Sequence, residues 1–122
     1  MNPEILLNRY RGFSDTRSEQ VTLTELVDNI REDAAVKDAT EKYRYFTAEG
    51  NKTAAERIKK SMRSFAVPAM FPAAGRKMED IIGLTGLIMV DIDHPEAGRM
   101  DEALRRIRCD AHTVLCHTTV SG

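Results

Sequence analysis

Two aspartates set two residues apart, Asp91 and Asp93, close the apolar run GLIMVDID over residues 86–93. On a strand, residues i and i+2 face the same way, about 6.6 Å apart along the backbone, so the two carboxylates can converge. Converging carboxylates make a hard-oxygen site suited to Mg2+ or Mn2+, ions that keep waters and take further ligands from phosphates. Nucleotidyl transfer makes that demand, because bound metals activate a hydroxyl and stabilise the leaving pyrophosphate. Asp91 and Asp93 are therefore the candidate catalytic and metal-ligating pair. The alternative is structural: the pair leaves a strand and satisfies amides at the start of the next helix, where the helix dipole favours negative charge.

Other chemistries find less. The chain has no GxSxG elbow, no GxxxxGK[ST] loop and no HExxH, which leaves acyl transfer, P-loop hydrolysis and zincin chemistry without support in these residues. Phosphotransfer of the haloacid-dehalogenase type also uses an aspartate pair after a strand, but wants threonine or valine where Pro95 stands. His94, before Pro95, is read as the residue leading into a helix, with metal ligation as the other option. His117 shares a face with Thr113 and Leu115 if that segment is a strand, and either meets a nucleotide or bonds to backbone or water. Ser121 and Gly122 follow in a small polar exit able to bring donors near phosphates, or simply to turn. Lys59, Lys60 and Arg63, with Arg57, form the densest basic surface in the sequence, and Arg76 and Lys77 add a second basic pair. They are the candidate DNA-binding set; solvation of a helix face is the bland alternative.

These residues need elements to position them. The hydrophobic residues at 4–9 suggest an opening strand. Thr22 and Glu25 have capping-box spacing, and Leu23, Leu26, Val27 and Ile30 recur with helical period, which predicts a helix over 23–32. Asp38 with Glu41 predicts a second helix carrying Ala39, Tyr43 and Phe46 and ending at Gly50. Thr53 with Glu56 predicts a third, with Ile58, Met62 and Phe65 as its stripe. Pro68 and Pro72 make 65–75 an extended edge followed by a turn. The run at 86–93 reads as a central strand buried on both faces. A helix over 96–108 follows, with stripe Met100, Leu104 and Ile107 and i,i+4 pairs Asp101–Arg105 and Glu102–Arg106. A strand at 113–117 completes a β-α-β unit, which calls for a right-handed parallel crossover.

The expected fold is thus α+β, a single unit with a mainly helical part over 1–66 and a mixed-sheet core beginning at 67–122. With 122 residues, one core is the natural size. Lys and Arg total 18 against 19 Asp and Glu, a formal charge of −1, so any contact with nucleic acid must come from a local patch. Two cysteines, Cys109 and Cys116, fit neither a CxxC pair nor a four-ligand zinc pattern. No run approaches the roughly 20 apolar residues of a membrane span, and no apolar stretch follows a basic start, so a reduced, cytoplasmic setting without membrane partners is expected.

The stretch TGLIMVDIDHPE at 85–96, followed by HTTVSG at 117–122 and preceded by the proline-containing SFAVPAMFPAAG, resembles the N-terminal domain of VirE-type (virulence-associated E) proteins of bacterial mobile elements. That domain is related to the archaeo-eukaryotic primase superfamily. The resemblance covers about residues 60–122 and implies a primase-like mixed sheet, with Asp91 and Asp93 as the first metal-binding motif. It implies that Ser121 and Gly122 open a nucleotide-binding turn and that Mg2+ or Mn2+ is the cofactor; His117, at the head of the same stretch, is a further nucleotide-binding candidate. It implies a DNA-replication role: single-stranded DNA template and nucleotides as partners, and a helicase-like C-terminal domain in an intact parent. The basic or histidine residue after the turn and a third acidic motif are expected beyond Gly122, which makes this chain a truncated fragment expected to be inactive alone. Two other readings compete with primer synthesis by the parent: a non-catalytic nucleic-acid-binding module acting through the basic set, and a protein-interaction domain.

Overall fold

The computed structural model describes residues 4–92, 96 and 98–119. They divide into a larger unit that ends at Met89 and a smaller one that starts at Val90. The described elements are mixed α and β, with four α-helices and two small antiparallel sheets.

The larger unit is organised around β1 (Leu6–Tyr10), the middle strand of a three-stranded sheet in the order β2-β1-β3. β2 (Ser18–Thr22) pairs with it in the register Leu7 to Val21 and Asn8 to Gln20, and β3 (Ser64–Ala66) pairs along Arg9 to Phe65. Leu7, Asn8 and Tyr10 are all buried, so both faces of β1 are covered. Alternation cannot be read in a strand covered on both faces, and β2 is a polar edge. The sequence expectation therefore includes β1 and misses β2.

Three helices follow. α1 (Leu23–Glu32) opens on the expected capping box: the Glu25 N–H donates to Thr22 Oγ1 (3.1 Å) and the Thr22 N–H donates to Glu25 Oε2 (2.6 Å). α2 (Ala34–Ala48) starts earlier than Asp38, because Asp33 Oδ1 accepts from the N–H groups of Ala35 and Val36. Asp38 instead pairs with Lys42 at 2.9 Å. α3 (Lys52–Ser61) is capped by Asn51, whose Oδ1 accepts from the Ala54 N–H, and packs on α2. Buried apolar side chains from strands and helices, among them Leu7, Val21, Leu26 and Ala55, make the core.

Segment 69–76 closes the unit. β4 (Ala69–Met70) pairs with β5 (Gly83–Leu84), with a 3-10 turn at Met78–Asp80 between them. Asn8, only 2% exposed, holds this segment to β1 as a strand partner would. Its Oδ1 accepts from the Phe71 N–H (2.9 Å), while its Nδ2 donates to the Phe71 carbonyl (2.9 Å) and to Ser18 Oγ (2.9 Å).

The expected central strand at 86–93 is corrected by the structure over residues 86–92. The hairpin ladder stops at Thr85, whose N–H donates to the Pro68 carbonyl and whose hydroxyl donates to the Val67 carbonyl (2.6 Å). Gly86, at φ 84°, then redirects the chain, as only a residue without Cβ does cheaply. With no neighbouring strand among the described residues to pair with, residues 86–92 stay outside regular structure, and Ile88 and Val90 are 88% and 78% exposed.

In the smaller unit the expected helix is present as α4 (Arg99–Cys109), and Glu102 pairs with Arg106 at 2.8 Å. The strand expected at 113–117 is not present. Thr113 finishes the helix instead, its hydroxyl donating to the Ile107 carbonyl (2.6 Å) and its N–H to the Asp110 carbonyl. The β-α-β unit is therefore not formed by the described residues. No described helix is long and apolar enough to cross a membrane.

Asn8→Ala removes both partners that Asn8 gives the part-buried Phe71 peptide group. Orphaning such groups costs about 1–3 kcal/mol, so the variant is expected to unfold at lower urea concentration with an unchanged slope. An unchanged midpoint would show that the Phe71 contact contributes nothing to stability.

Candidate functional site

The connection between β1 and β2, Arg11–Gly12–Phe13–Ser14–Asp15–Thr16–Arg17, is fixed at its backbone from two sides. On one side the Phe13 N–H donates to the Lys60 carbonyl at the end of α3 (3.0 Å). Gly12 permits this approach, since a Cβ there would stand 3.0 Å from that carbonyl oxygen. On the other side Arg76 Nη1 donates to the carbonyls of Phe13 (2.9 Å), Asp15 (3.3 Å) and Gly12 (3.5 Å), and Nη2 donates to Ser64 Oγ (3.1 Å). The Arg76 guanidinium lies 4.1 Å from the centroid of the buried Tyr10 ring, a cation–π contact. The Gly75 N–H and the Thr16 carbonyl add a further tie (2.9 Å).

These contacts shape an open cleft of about 520 Å³ lined by Phe13, Thr16, Gly75, Arg76, Lys77 and Asp80. Phe13 is 67% exposed although its peptide groups are anchored. The carboxylate in the cleft wall and one in the loop are partly committed to backbone: Asp80 Oδ2 accepts from the Lys77 N–H (2.9 Å), and Asp15 Oδ1 accepts from the Arg17 N–H (3.0 Å). The side chains of Arg11, Arg17, Lys60 and Lys77 are exposed.

The five basic residues singled out in the sequence thus fall into different jobs. Lys60 and Lys77 flank the Phe13 loop, one through its carbonyl and one through the cleft wall. Arg76 spends its donors on the loop and acts as its mount. Lys59 Nζ lies 6.0 Å from the Tyr43 ring centroid, and Arg63 pairs with Asp33 at 3.6 Å. Sequence reasoning passed over Phe13, Arg11 and Arg17; an aromatic between two arginines in a glycine-containing polar loop was the available signal.

Asp91 is exposed and outside any helix or strand, and Asp93 lies outside the described residues. Among the described residues no three His, Cys, Asp or Glu side chains converge as a metal site requires. His117 is exposed, with Nδ1 2.9 Å from the Thr118 carbonyl, while Ser121 and Gly122 lie outside the described residues.

Positive charge also gathers at the sheet. Arg9 donates to Glu19 Oε1 through Nε (3.0 Å) and Nη2 (2.6 Å). This hydrogen bonding, then the charge of Arg9, with smaller help from Arg63 and Arg11, holds the Glu19 carboxyl below its ordinary value of 4.5. One carboxylate therefore faces three arginines.

The structure defines a mixed α+β protein with a basic, aromatic cleft beside its main sheet. The chain belongs to the family of the BT4734-like N-terminal domain, whose family model matches residues 57–122. This match corrects the VirE-type resemblance: the family is a different one, and the motif-like stretches at 85–96 and 117–122 are short enough to recur outside the family they suggested. The matched range contains Lys59, Lys60, Arg63, Arg76, Lys77, Asp91 and Asp93 but not the Phe13 loop. No curated protein and no solved structure matches the chain.

A carboxylate whose folded pKa is depressed stabilises the fold above its unfolded pKa, and loses that contribution as pH falls through the folded value. For exposed Glu19 the window is pH 4.5 and below, and the contribution is small because solvent screens the pair. Its carboxyl resonance is expected to titrate below 4.5 by NMR, and to move back up in Arg9→Gln. A Glu19 titration identical in the two proteins would remove Arg9 as the cause.

Proposed function

We propose that this chain is a DNA-binding module that meets phosphates through the basic rim of the Phe13 cleft. The observation that carries the reading is the double anchoring of Phe13, between the Lys60 carbonyl and the Arg76 guanidinium. It sets Lys77 in the cleft wall, with exposed Arg11 and Arg17 in the loop that carries Phe13 and exposed Lys60 tied to that loop through its carbonyl. A chain of formal charge −1 has no global attraction for a polyanion, so a local cluster of this kind is what such binding needs. Arg76 fixes the loop rather than meeting phosphate, Lys59 and Arg63 extend the basic surface along and beyond α3, and the neighbouring Asp15 and Asp80 limit affinity.

Binding of labelled DNA is expected to weaken linearly in log–log terms as salt rises. Each single-strand phosphate neutralised contributes a slope of about 0.7. Replacing Lys60 and Lys77 together by alanine is expected to lower that slope by about 1.4 if each neutralises one phosphate. Affinity at low salt that is indifferent to both lysines and to salt would exclude the reading.

A second reading is metal-dependent nucleotidyl transfer, as in primer synthesis, with Asp91 and Asp93 as metal ligands. The observation favouring it is the order of residues: an apolar run from Leu87 to Val90 that ends in D-x-D. It also requires a primase-like mixed sheet around 86–93, which the described residues do not form. Under this reading the electron paramagnetic resonance signal of free Mn2+ falls on adding the chain and recovers with Asp91→Asn or Asp93→Asn. A signal unaffected by the wild-type chain would count against it.

A further inference from the structure

We infer that Phe13 is a stacking platform for an unpaired base, so that the cleft takes single-stranded DNA in preference to duplex; the inference rests on the DNA-binding reading above and names its substrate class. An exposed phenylalanine alone is unremarkable on a protein surface. Phe13 differs in its mounting. Its N–H and its carbonyl are both held, the first by Lys60 and the second by an arginine that also grips Gly12, Asp15 and Ser64 and rests on the buried Tyr10 ring. The backbone beneath the ring is therefore ordered before any ligand arrives, and ordering it on binding costs little.

The surroundings select the ligand. The ring lines the cleft with Lys77 and the Thr16 side chain, while Arg11 and Arg17 stand at the two ends of the same loop. An apolar protein partner would bury the ring but gain little from an exposed basic rim. A nucleic acid uses both, because its phosphates meet the cations while a base lies on the ring. In duplex DNA the base faces are stacked within the helix, so only a single strand presents a face to Phe13 without melting. Stacking of this kind tolerates any base, since each has a π-face.

Fluorescence anisotropy with three labelled probes tests this: a short oligothymidylate, an abasic oligomer of the same length and charge, and a duplex. Wild type is expected to bind the base-bearing single strand about 10-fold more tightly than the abasic one, and Phe13→Ala to erase that difference. Phe13→Trp should retain it, the salt slope should be the same in Phe13→Ala and wild type, and duplex affinity should not change. Equal affinity of wild type for base-bearing and abasic strands, with Lys60→Ala/Lys77→Ala still weakening both, overturns the stacking inference and leaves the DNA-binding reading intact. No binding of any probe at low salt overturns both. Circular dichroism of Phe13→Ala checks that the fold is retained, as expected for an exposed side chain.

Discussion

The larger unit depends on a side chain doing the work of a strand. Asn8 lies buried in the middle of β1 and meets the peptide group of Phe71 with both its acceptor and a donor, across 63 residues of sequence. A buried amide is tolerated only when its polar atoms are satisfied, and here the partner's backbone is satisfied by the same contact. The consequence is geometric. Fixing Phe71 against β1 sets where the chain runs next, bringing Ala73 to the Ser18 N–H, Gly75 to the Thr16 carbonyl and Arg76 over Tyr10. The clamp on the Phe13 loop is thus downstream of one buried asparagine.

Legibility in the sequence followed how local the determining interactions are. The Thr22–Glu25 capping box is complete within four residues, and it starts α1 as read. Asp33 and Asn51 cap the next two helices, although Asp38 and Thr53 offered the same spacing with a glutamate three residues on. In the first case Asp33 also accepts from Asn29 Nδ2 and pairs with Arg63, contacts that spacing cannot reveal. The polar strand β2 is paired by Leu7 and Asn8 rather than by any pattern of its own. The hydrogen bonds that hold the Phe13 loop span 47 to 64 residues, and one side chain, Arg76, makes three of them.

Residues 86–92 fail as a strand for the opposite reason: their composition is right, and no described strand pairs with them. Apolarity makes a segment available for a buried strand, but the ladder needs a neighbour that offers free N–H and C=O groups. Thr85 uses its hydroxyl on the Val67 carbonyl and then accepts the Leu87 N–H, which ends the hairpin cleanly. The same logic applies at Thr113, where the hydroxyl and the N–H finish α4 rather than begin a strand. Hydroxyl side chains that bond nearby backbone compete with sheet formation at both positions.

Charge shows why composition is a poor guide to the surface. A formal charge of −1 predicts weak attraction for polyanions, yet the fold places some carboxylates where backbone or arginine occupies them. Asp15, Asp33 and Asp80 accept from main-chain amides, and Glu19 faces Arg9, Arg11 and Arg63. A carboxylate bonded to amides keeps its charge but turns a lone pair inward, while Arg11, Arg17, Lys60 and Lys77 keep their charged ends in solvent. Arg76 makes the opposite choice from these four. By spending its guanidinium on three loop carbonyls it ties the backbone under Phe13 to the sheet while the ring itself stays in water.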